Sequence, residues 1–372
     1  MRVECLALPQ IDDALWASLV GLRNSDNKYD NPMFEPEFIR ILAGLRSDIR
    51  VLIGFESDVP VIYFPIQKHP GNWARPAAGP FSDWHSPIGE AIQFSEFLKQ
   101  AGVAGMTVHG LMPSSFISSV DGLSRESSHV THIAGEFSDF YENQQKMFPK
   151  HFKKMRRLKR NLETKIGPVE FCYDDRSDEV FEWLIQIKRD QYVRTHRHDV
   201  LGADWAQAFV GQVRELRNPR FRAVMSTLRA NGTLIAAELN MQSDRVLHGW
   251  LTGFDRAYAT HSPGLILVER MLEEMVSQGV RIYDAGPGLS HYKKYYSNVS
   301  YPIEMGVVMG RQSRHPVRLM GTAWRQMEAL PIGAISRTMR KTRRRMDQVL
   351  QAELSFSARL LGLLRAIRAF GD

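Results

Sequence analysis

The 372-residue sequence predicts an α/β protein with mixed sheets, arranged as two tandem units followed by a helical tail. Three observations carry that prediction. A β-α-β unit with its own punctuation lies between His248 and Ser297. Two hairpins of the same rhythm occur at 50–67 and 222–242, and a dense basic stretch near residue 150 falls between them. The length agrees, since single cores rarely grow much beyond ~250–300 residues.

The β-α-β unit is the best marked. Val246 to Gly253 reads as a strand, Ser262-Pro263-Gly264 sits where a helix begins, and Leu265, Val268, Met271, Leu272, Met275 and Val276 recur at helical spacing up to the stop at Gly279. Arg281 to Asp284 then reads as a second strand. Such a crossover forces the two strands parallel, and the helix start between them offers free N–H groups and a positive dipole end to a phosphate.

Composition bounds the rest. Hydrophobic residues make up 44% and charged residues 24%, as in ordinary globular proteins, which excludes wholesale disorder. The net charge of +7 implies an anionic partner without choosing among nucleic acid, cofactor phosphates and a membrane face. Cys5 and Cys172 are far apart and outside any CxxC spacing, so neither a disulfide scaffold nor a thiolate metal site is expected. No apolar leader opens the sequence and no run of roughly 18 uncharged apolar residues occurs, so it reads as cytoplasmic and not membrane-spanning.

In chain order, Ile11 to Leu22 has helical spacing, Asn31-Pro32 marks a turn, and Pro36 to Leu45 forms a helix with proline in its first turn. Ile49 to Gln67 reads as a hairpin around Glu56-Ser57-Asp58. Pro70 to Gly89 is rich in Gly, Pro and Trp, and two readings stand: a functional loop, or a packed surface loop anchored by Trp73 and Trp84. Arg222 to Gln242 repeats the hairpin rhythm, which suggests a tandem duplication with its boundary near 138–150. In the basic stretch, Phe152, Met155, Leu158 and Leu162 share one helical face while Lys153, Lys154, Arg156, Arg157, Lys159 and Arg160 line the remainder. With no acid before Glu163, an anionic partner is the better reading, although nucleic-acid motifs are missing. Phe181 to Arg194 reads as a further helix; His196, His198 and Asp199 after it form a polar loop, and no metal is expected. From about Pro316 the character changes, with basic residues at 339–346 and a last helix placing Phe356, Leu360, Leu363, Leu364, Ile367 and Phe370 opposite Arg365 and Arg368. Such a helix lies in a membrane interface or covers a patch of its own protein.

The sequence of the central unit runs from Asp284 into Ala285-Gly286-Pro287-Gly288 and then His291-Tyr292-Lys293-Lys294-Tyr295-Tyr296. Together with the basic opening at 150–163, the segment GTLIAAEL (232–239) and LTGFDRAYATHSPGLILVE (251–269), it resembles the GNAT-like acyltransferases of the CelD/BcsL type. That group is associated with cellulose and other exopolysaccharide biosynthesis and is distantly related to FemAB aminoacyl transferases. The resemblance covers most of 5–305. It implies two tandem GNAT-like (acyl-CoA N-acyltransferase) domains, at 1–140 and 141–315, the second holding the donor site, with a basic amphipathic extension at 316–372.

The resemblance further implies an acyl donor lying in a splay between the strands at 246–253 and 281–284, with Ser262, Pro263, Gly264 and Leu265 at its pyrophosphate turn. The glycine-rich phosphate loop of such folds is reduced here to one glycine, which keeps an acyl carrier protein beside acyl-CoA as donor. Attack of a neutral amine on a thioester needs a base for its proton, N–H groups for the oxyanion and an acid for the leaving thiolate. Asp284 is the expected base, with capping of the following turn as its alternative role, and His248 is the second candidate base. Tyr292 is placed as the thiolate acid and Lys293 as a group orienting or neutralising phosphate. Glu238, inside an apolar strand, is either a buried functional acid or a residue of an exposed sheet face, and Asp255 a turn residue. The expected function is N-acyl transfer from acyl-CoA or a carrier protein to an amine, an amino sugar of polysaccharide biosynthesis. A lipid amine, as in bacterial ceramide synthesis, an aminoacyl-tRNA-dependent transfer, and a non-catalytic GNAT-like scaffold at the membrane are the alternatives. An anionic membrane surface and peripheral placement at the inner membrane go with the tail.

Overall fold

A computed structural model of the chain describes residues 1–90, 92–113, 123–218, 220–288, 292–310 and 333–368. His291, Pro316 and Phe370, singled out above, lie outside them. The strands are β1 (Arg2–Leu6), β2 (Ile49–Glu56), β3 (Val59–His69), β4 (Trp73–Pro76), β5 (Ile88–Gly89), β6 (Gly105–Leu111), β7 (Ser124–His132), β8 (Val169–Cys172), β9 (Arg217–Asn218), β10 (Phe221–Ala230), β11 (Thr233–Gln242), β12 (Val246–Phe254), β13 (Ile282–Pro287) and β14 (Val299–Met309). The α-helices are α1 (Asp13–Asn24), α2 (Pro36–Leu45), α3 (Phe94–Gln100), α4 (Phe137–Met147), α5 (Pro149–Lys165), α6 (Asp178–Arg194), α7 (Asp204–Arg214), α8 (Pro263–Ser277), α9 (Lys293–Tyr296), α10 (Ala334–Ala352) and α11 (Phe356–Arg368).

The expected hairpins form and are alike in detail. β2 pairs antiparallel with β3, and β10 with β11, each with a register shift close to the turn. Ser57 and Asp58 in one turn, and Asn231 and Gly232 in the other, all have positive φ. Two successive residues of that kind match the right-handed twist of the strands they join.

All strands join one mixed sheet in the order β1-β2-β3-β4-β6-β14-β7-β13-β12-β11-β10-β8, with β5 on β3 and β9 on β10. Two strands are exchanged between the halves. β14, late in sequence, lies between β6 and β7, and β7, from the first 140 residues, pairs with β13. The stretch around residue 148 is two helices, α4 and α5.

Helices cover both faces of the sheet. Val51, Ile53 and Tyr63 join α1, α2, α6 and α7 on one face, where Phe38 of α2 meets Phe209 of α7 edge to face at 5.0 Å between ring centroids. Leu52, Phe64 and Ile66 point the other way onto α3, as alternation along a strand requires. In the second half α4, α5 and α8 cover that opposite face. Phe152, Met155, Leu158 and Leu162 of α5 are buried as the spacing predicts, and Lys153, Lys154, Arg156, Arg157 and Arg160 are exposed.

The tail helix α10 packs on the chain itself. Arg46 Nη1 donates to Gln351 O at 2.9 Å and Trp205 Nε1 to Ala352 O at 2.8 Å, so groups from both halves satisfy carbonyls at the C-terminal end of α10. Arg75 pairs with Asp347 at 2.9 Å, and His198 with Glu353 at 3.0 Å. Asp199 pairs with Arg189 at 2.9 Å, so the polar loop that follows α6 braces neighbouring segments.

The Gly/Pro/Trp loop is clamped to β6. His85 N donates to Gly110 O at 2.9 Å and Met112 N to His85 O at 2.8 Å. Gly110 has φ +70°, and a Cβ there would lie 2.1 Å from Asp83 O. Gly110→Ala should therefore destabilise the protein by about 2 kcal/mol or more and loosen residues 79–89. Thermal melting together with amide hydrogen exchange checks this; unchanged melting and unchanged protection of that loop would contradict it.

Candidate functional site

β12 and β13 run parallel for only three pairs, Val246↔Ile282, Leu247↔Tyr283 and His248↔Asp284. Beyond them β12 continues along β11, while β13 continues along β7 with a register shift between Asp284 and Pro287. The two strands part at His248 and Asp284. β12 also carries an irregularity here, with Leu239 opposite Leu251 but Asn240 opposite Gly249, so Trp250 is the extra residue of a bulge. Its Nε1 donates to Phe81 O at 2.9 Å, tying the bulge to the loop of the first half.

Asp284 is 2% exposed and His248 fully buried. His248 Nδ1 lies 3.0 Å from Asp284 Oδ2. The same oxygen accepts from Asn31 Nδ2 at 2.7 Å and Trp84 Nε1 at 2.5 Å, while Oδ1 accepts from Gly286 N at 2.8 Å and Ser128 Oγ at 3.2 Å. Burial pushes the Asp284 carboxyl up, but the His248 charge and these donors outweigh it and hold the group below its ordinary range. A carboxylate saturated by five donors is a poor proton acceptor, so the environment does not suit the role of base expected for Asp284. The bond from Gly286 N realises the alternative, a cap on the turn that follows.

For His248, burial alone would depress the pKa. Asp284, with Asp83 on the other side, reverses this and pushes it up to about 9. His248 Nε2 is 3.5 Å from Asp83 Oδ2, an ion-pair distance too long for a hydrogen bond, and it has no hydrogen-bond partner among the described residues. The imidazole thus sits between two carboxylates with one ring nitrogen unsaturated.

The residues from the first half are set by local rules. Asn31 Oδ1 accepts from Met33 N at 3.0 Å as the cap of a short helical turn, which leaves its Nδ2 for Asp284. Ser82 Oγ bonds Trp84 O at 3.0 Å, and Asp83 N lies 3.0 Å from Met33 Sδ. Gly286 has φ +73°, and a Cβ there would stand 2.7 Å from Asp83 Oδ2, so only glycine lets the two loops meet. Asn31, Asp83, Trp84 and Ser128 were not among the expected site residues. Asn31-Pro32 and the loop at 70–89 were visible as turn signals, whereas nothing in the SSHVT pattern distinguished Ser128.

On the other side of the same strands Glu238 is 1% exposed. It accepts from Tyr283 Oη at 2.8 Å and Thr252 Oγ1 at 2.7 Å, and burial raises its pKa. This excludes the exposed sheet face. Tyr292 lies within electrostatic reach of Glu238 and Tyr283; burial first, then Glu238, push its phenol up to about 12. Lys293 Nζ donates to Gly286 O at 3.0 Å and Pro287 O at 2.7 Å. These contacts make it a strut for the turn after β13, a different use of the ammonium from the phosphate contact expected.

α8 starts at Pro263 as expected, with Ser262 in the left-handed region at φ 54° and Leu265 and Ile266 bonding back to Ser262 O. Ser262, Pro263, Gly264 and Leu265 so form the start of a 15-residue helix; Pro263 has no N–H and Leu265 and Ile266 are bonded to Ser262 O, so the Gly264 N–H and the helix dipole are what this turn offers an anion. Asp255 caps the preceding turn through Ala257 N at 2.9 Å.

Asp284→Asn should bring the His248 pKa down from about 9 toward or below its ordinary 6.5, as followed by NMR titration of the imidazole. A pKa that stays near 9 would contradict the pairing. The raised pKa also stabilises the fold fully below pH 6.5, and that contribution is lost as pH rises through about 9.

Residues 149–294 match the family described as acetyltransferase (GNAT) domain. The matched segment contains His248, Asp284, Glu238 and the start of α8, and excludes Asn31, Asp83, Trp84 and Ser128. No curated protein matches the chain. Among solved structures, a conserved protein of unknown function from Bacteroides thetaiotaomicron is similar at 9% identity and TM-score 0.49, over 79% of this chain and 97% of that one. A tandem GNAT protein from the clavulanic acid biosynthesis pathway is similar at 11% identity and TM-score 0.45, over 84% of this chain and 100% of that one. FemX follows at 10% identity and TM-score 0.45, over 73% of this chain and 90% of that one. The family match makes residues 149–294 an acetyltransferase (GNAT) domain and the chain an acyltransferase.

Proposed function

We propose that the protein is an N-acyltransferase that carries an acyl group from a thioester, acyl-CoA or an acyl carrier protein, to an amine. The observation that carries this reading is the parting of β12 and β13 at a buried, carboxylate-flanked imidazole, with a helix N-terminus following β12. The gap gives a thioester a bed between two strands, and Ser262, Pro263, Gly264 and Leu265 form the turn that receives the donor's phosphates. Lys293 keeps the turn after β13 in place.

His248 is the proposed base, a role transferred to it from Asp284. The carboxylates of Asp83 and Asp284 on either side of the ring draw a protonated amine toward it. The bound ammonium first releases one proton to solvent; His248 Nε2, once neutral, takes a second as the now neutral nitrogen attacks the carbonyl carbon, while Asp284 orients the ring and stabilises the charge it gains. The C–N bond forms, the C–S bond breaks, and Tyr292 supplies a proton to the departing sulfur. An unprotonated base is required, so kcat/KM should rise with pH toward about 9.

The acceptor we favour is an amino sugar of a polysaccharide precursor, in keeping with the CelD/BcsL-type resemblance. A lipid amine is the second reading, favoured by the exposed leucines of α11. We retain the division into units at 1–140 and 141–315 with a tail at 316–372, the first two exchanging β7 and β14.

Thiol release from acetyl-CoA and longer acyl-CoAs, measured against amino sugars and long-chain amines, tests both acceptors. His248→Ala should lower kcat/KM by about 10²- to 10⁴-fold, and Tyr292→Phe should lower kcat with the fold intact. Full activity of His248→Ala, or a rate independent of pH between 6 and about 9, would overturn the assignment.

A further inference from the structure

α10 and α11 form a helical hairpin, and Gly362 marks the contact, since a Cβ there would lie 2.6 Å from Val349 Cγ1. That packing turns part of α11 outward. Leu360, Leu361 and Leu364 are 48%, 56% and 45% exposed, and Leu354, in the link between the helices, is 43% exposed. Four of the ten large hydrophobic side chains exposed among the described residues fall in this span of eleven residues. Spacing of i, i+1 and i+4 puts the three helical ones on one face.

Charge identifies the occupant. From 334 to 368 the sequence has nine cations, Arg337, Arg340, Lys341, Arg343, Arg344, Arg345, Arg359, Arg365 and Arg368, against the acids Asp347 and Glu353. Both acids are already engaged, Asp347 with Arg75 and Glu353 with His198. A leucine face within a strongly cationic segment suits an apolar layer beneath a negative headgroup plane. A second protein would need its own apolar patch rimmed by acids, whereas an anionic bilayer supplies both features everywhere.

We propose that the α10–α11 hairpin docks the protein on an anionic phospholipid bilayer, with Leu354, Leu360, Leu361 and Leu364 entering the interface. This is peripheral contact, since no helix among the described residues is long and apolar enough to cross a membrane. The docked hairpin has a defined place relative to the chemistry. α10 packs on the helical turn at Gly79–Phe81, and Gln351 stands against Gly79, shortly before Asp83 and Trp84. Membrane contact would hold the candidate site at a fixed orientation to the lipid surface. The proposal rests on the surface alone and stands whether or not His248 is the base.

Co-sedimentation of the full chain with vesicles of phosphatidylcholine alone, and of phosphatidylcholine mixed with phosphatidylglycerol, tests it. Binding is expected to the mixed vesicles, weaker at high salt, and at least tenfold weaker for Leu360→Ser/Leu361→Ser/Leu364→Ser with an unchanged melting temperature. Absence of wild-type binding to mixed vesicles, or full binding by the triple variant, would overturn it. If the triple variant is itself unstable, Leu361→Glu alone, at the most exposed position, replaces it with the same expectation. A dimer in light scattering that the substitutions dissolve, without vesicle binding, would assign the face to a second copy of this chain instead.

Discussion

The bond between Asp284 and His248 is the constraint around which the site is arranged. A carboxylate and an imidazole with almost no exposure are tolerable only as a pair, and a buried carboxylate needs its other lone pairs satisfied. Asp284 meets that condition with donors from Asn31, Trp84, Ser128 and the Gly286 amide. Three of those come from the first 140 residues, so the matched GNAT segment does not complete its own candidate site. The exchange of β7 and β14 has the same consequence in the backbone: it places β7, bearing Ser128, beside β13.

The two faces of the parting strands carry different chemistry. On one, His248 lies between carboxylates and the cation-attracting loop of the first half. On the other, Glu238, Tyr283 and Thr252 form a closed hydrogen-bonded group near Tyr292. Lys293, drawn onto the carbonyls of Gly286 and Pro287, keeps the turn between these faces from collapsing onto either.

Much of the scaffold was legible in the sequence because its signals are local. Hairpin turns at 57–58 and 231–232, the proline at the start of α2, the apolar face of α5 and the stop at Gly279 each follow from a few neighbouring residues. His248 and Asp284 could be singled out because the crossover unit places them on neighbouring parallel strands. Their roles could not, since those depend on which groups arrive from elsewhere. Asp284 as a base was a reasonable expectation for a strand-end carboxylate; the donors that surround it, three of them from distant segments, are what local spacing does not show. Lys293 was read as a phosphate group from its neighbours in sequence, and a buried turn claims it. Ser128 and Asp83 reach the site only through a strand exchange and a loop insertion, and neither leaves a mark in local spacing. The Gly/Pro/Trp loop did announce itself, and both of its tryptophans tie it down: Trp73 Nε1 donates to Thr107 Oγ1 at 3.0 Å and Trp84 Nε1 to Asp284.

The central claim is that the gap opening at His248 and Asp284 is the bed of an acyl thioester. A crystal structure with a non-hydrolysable thioether analogue of acetyl-CoA tests it most directly. The account predicts the acyl carbonyl between β12 and β13 near His248 Nε2, with the diphosphate on the first turn of α8. An analogue bound away from that gap, or binding undiminished when Gly264 at the start of α8 is replaced by a bulky acidic residue, would contradict it.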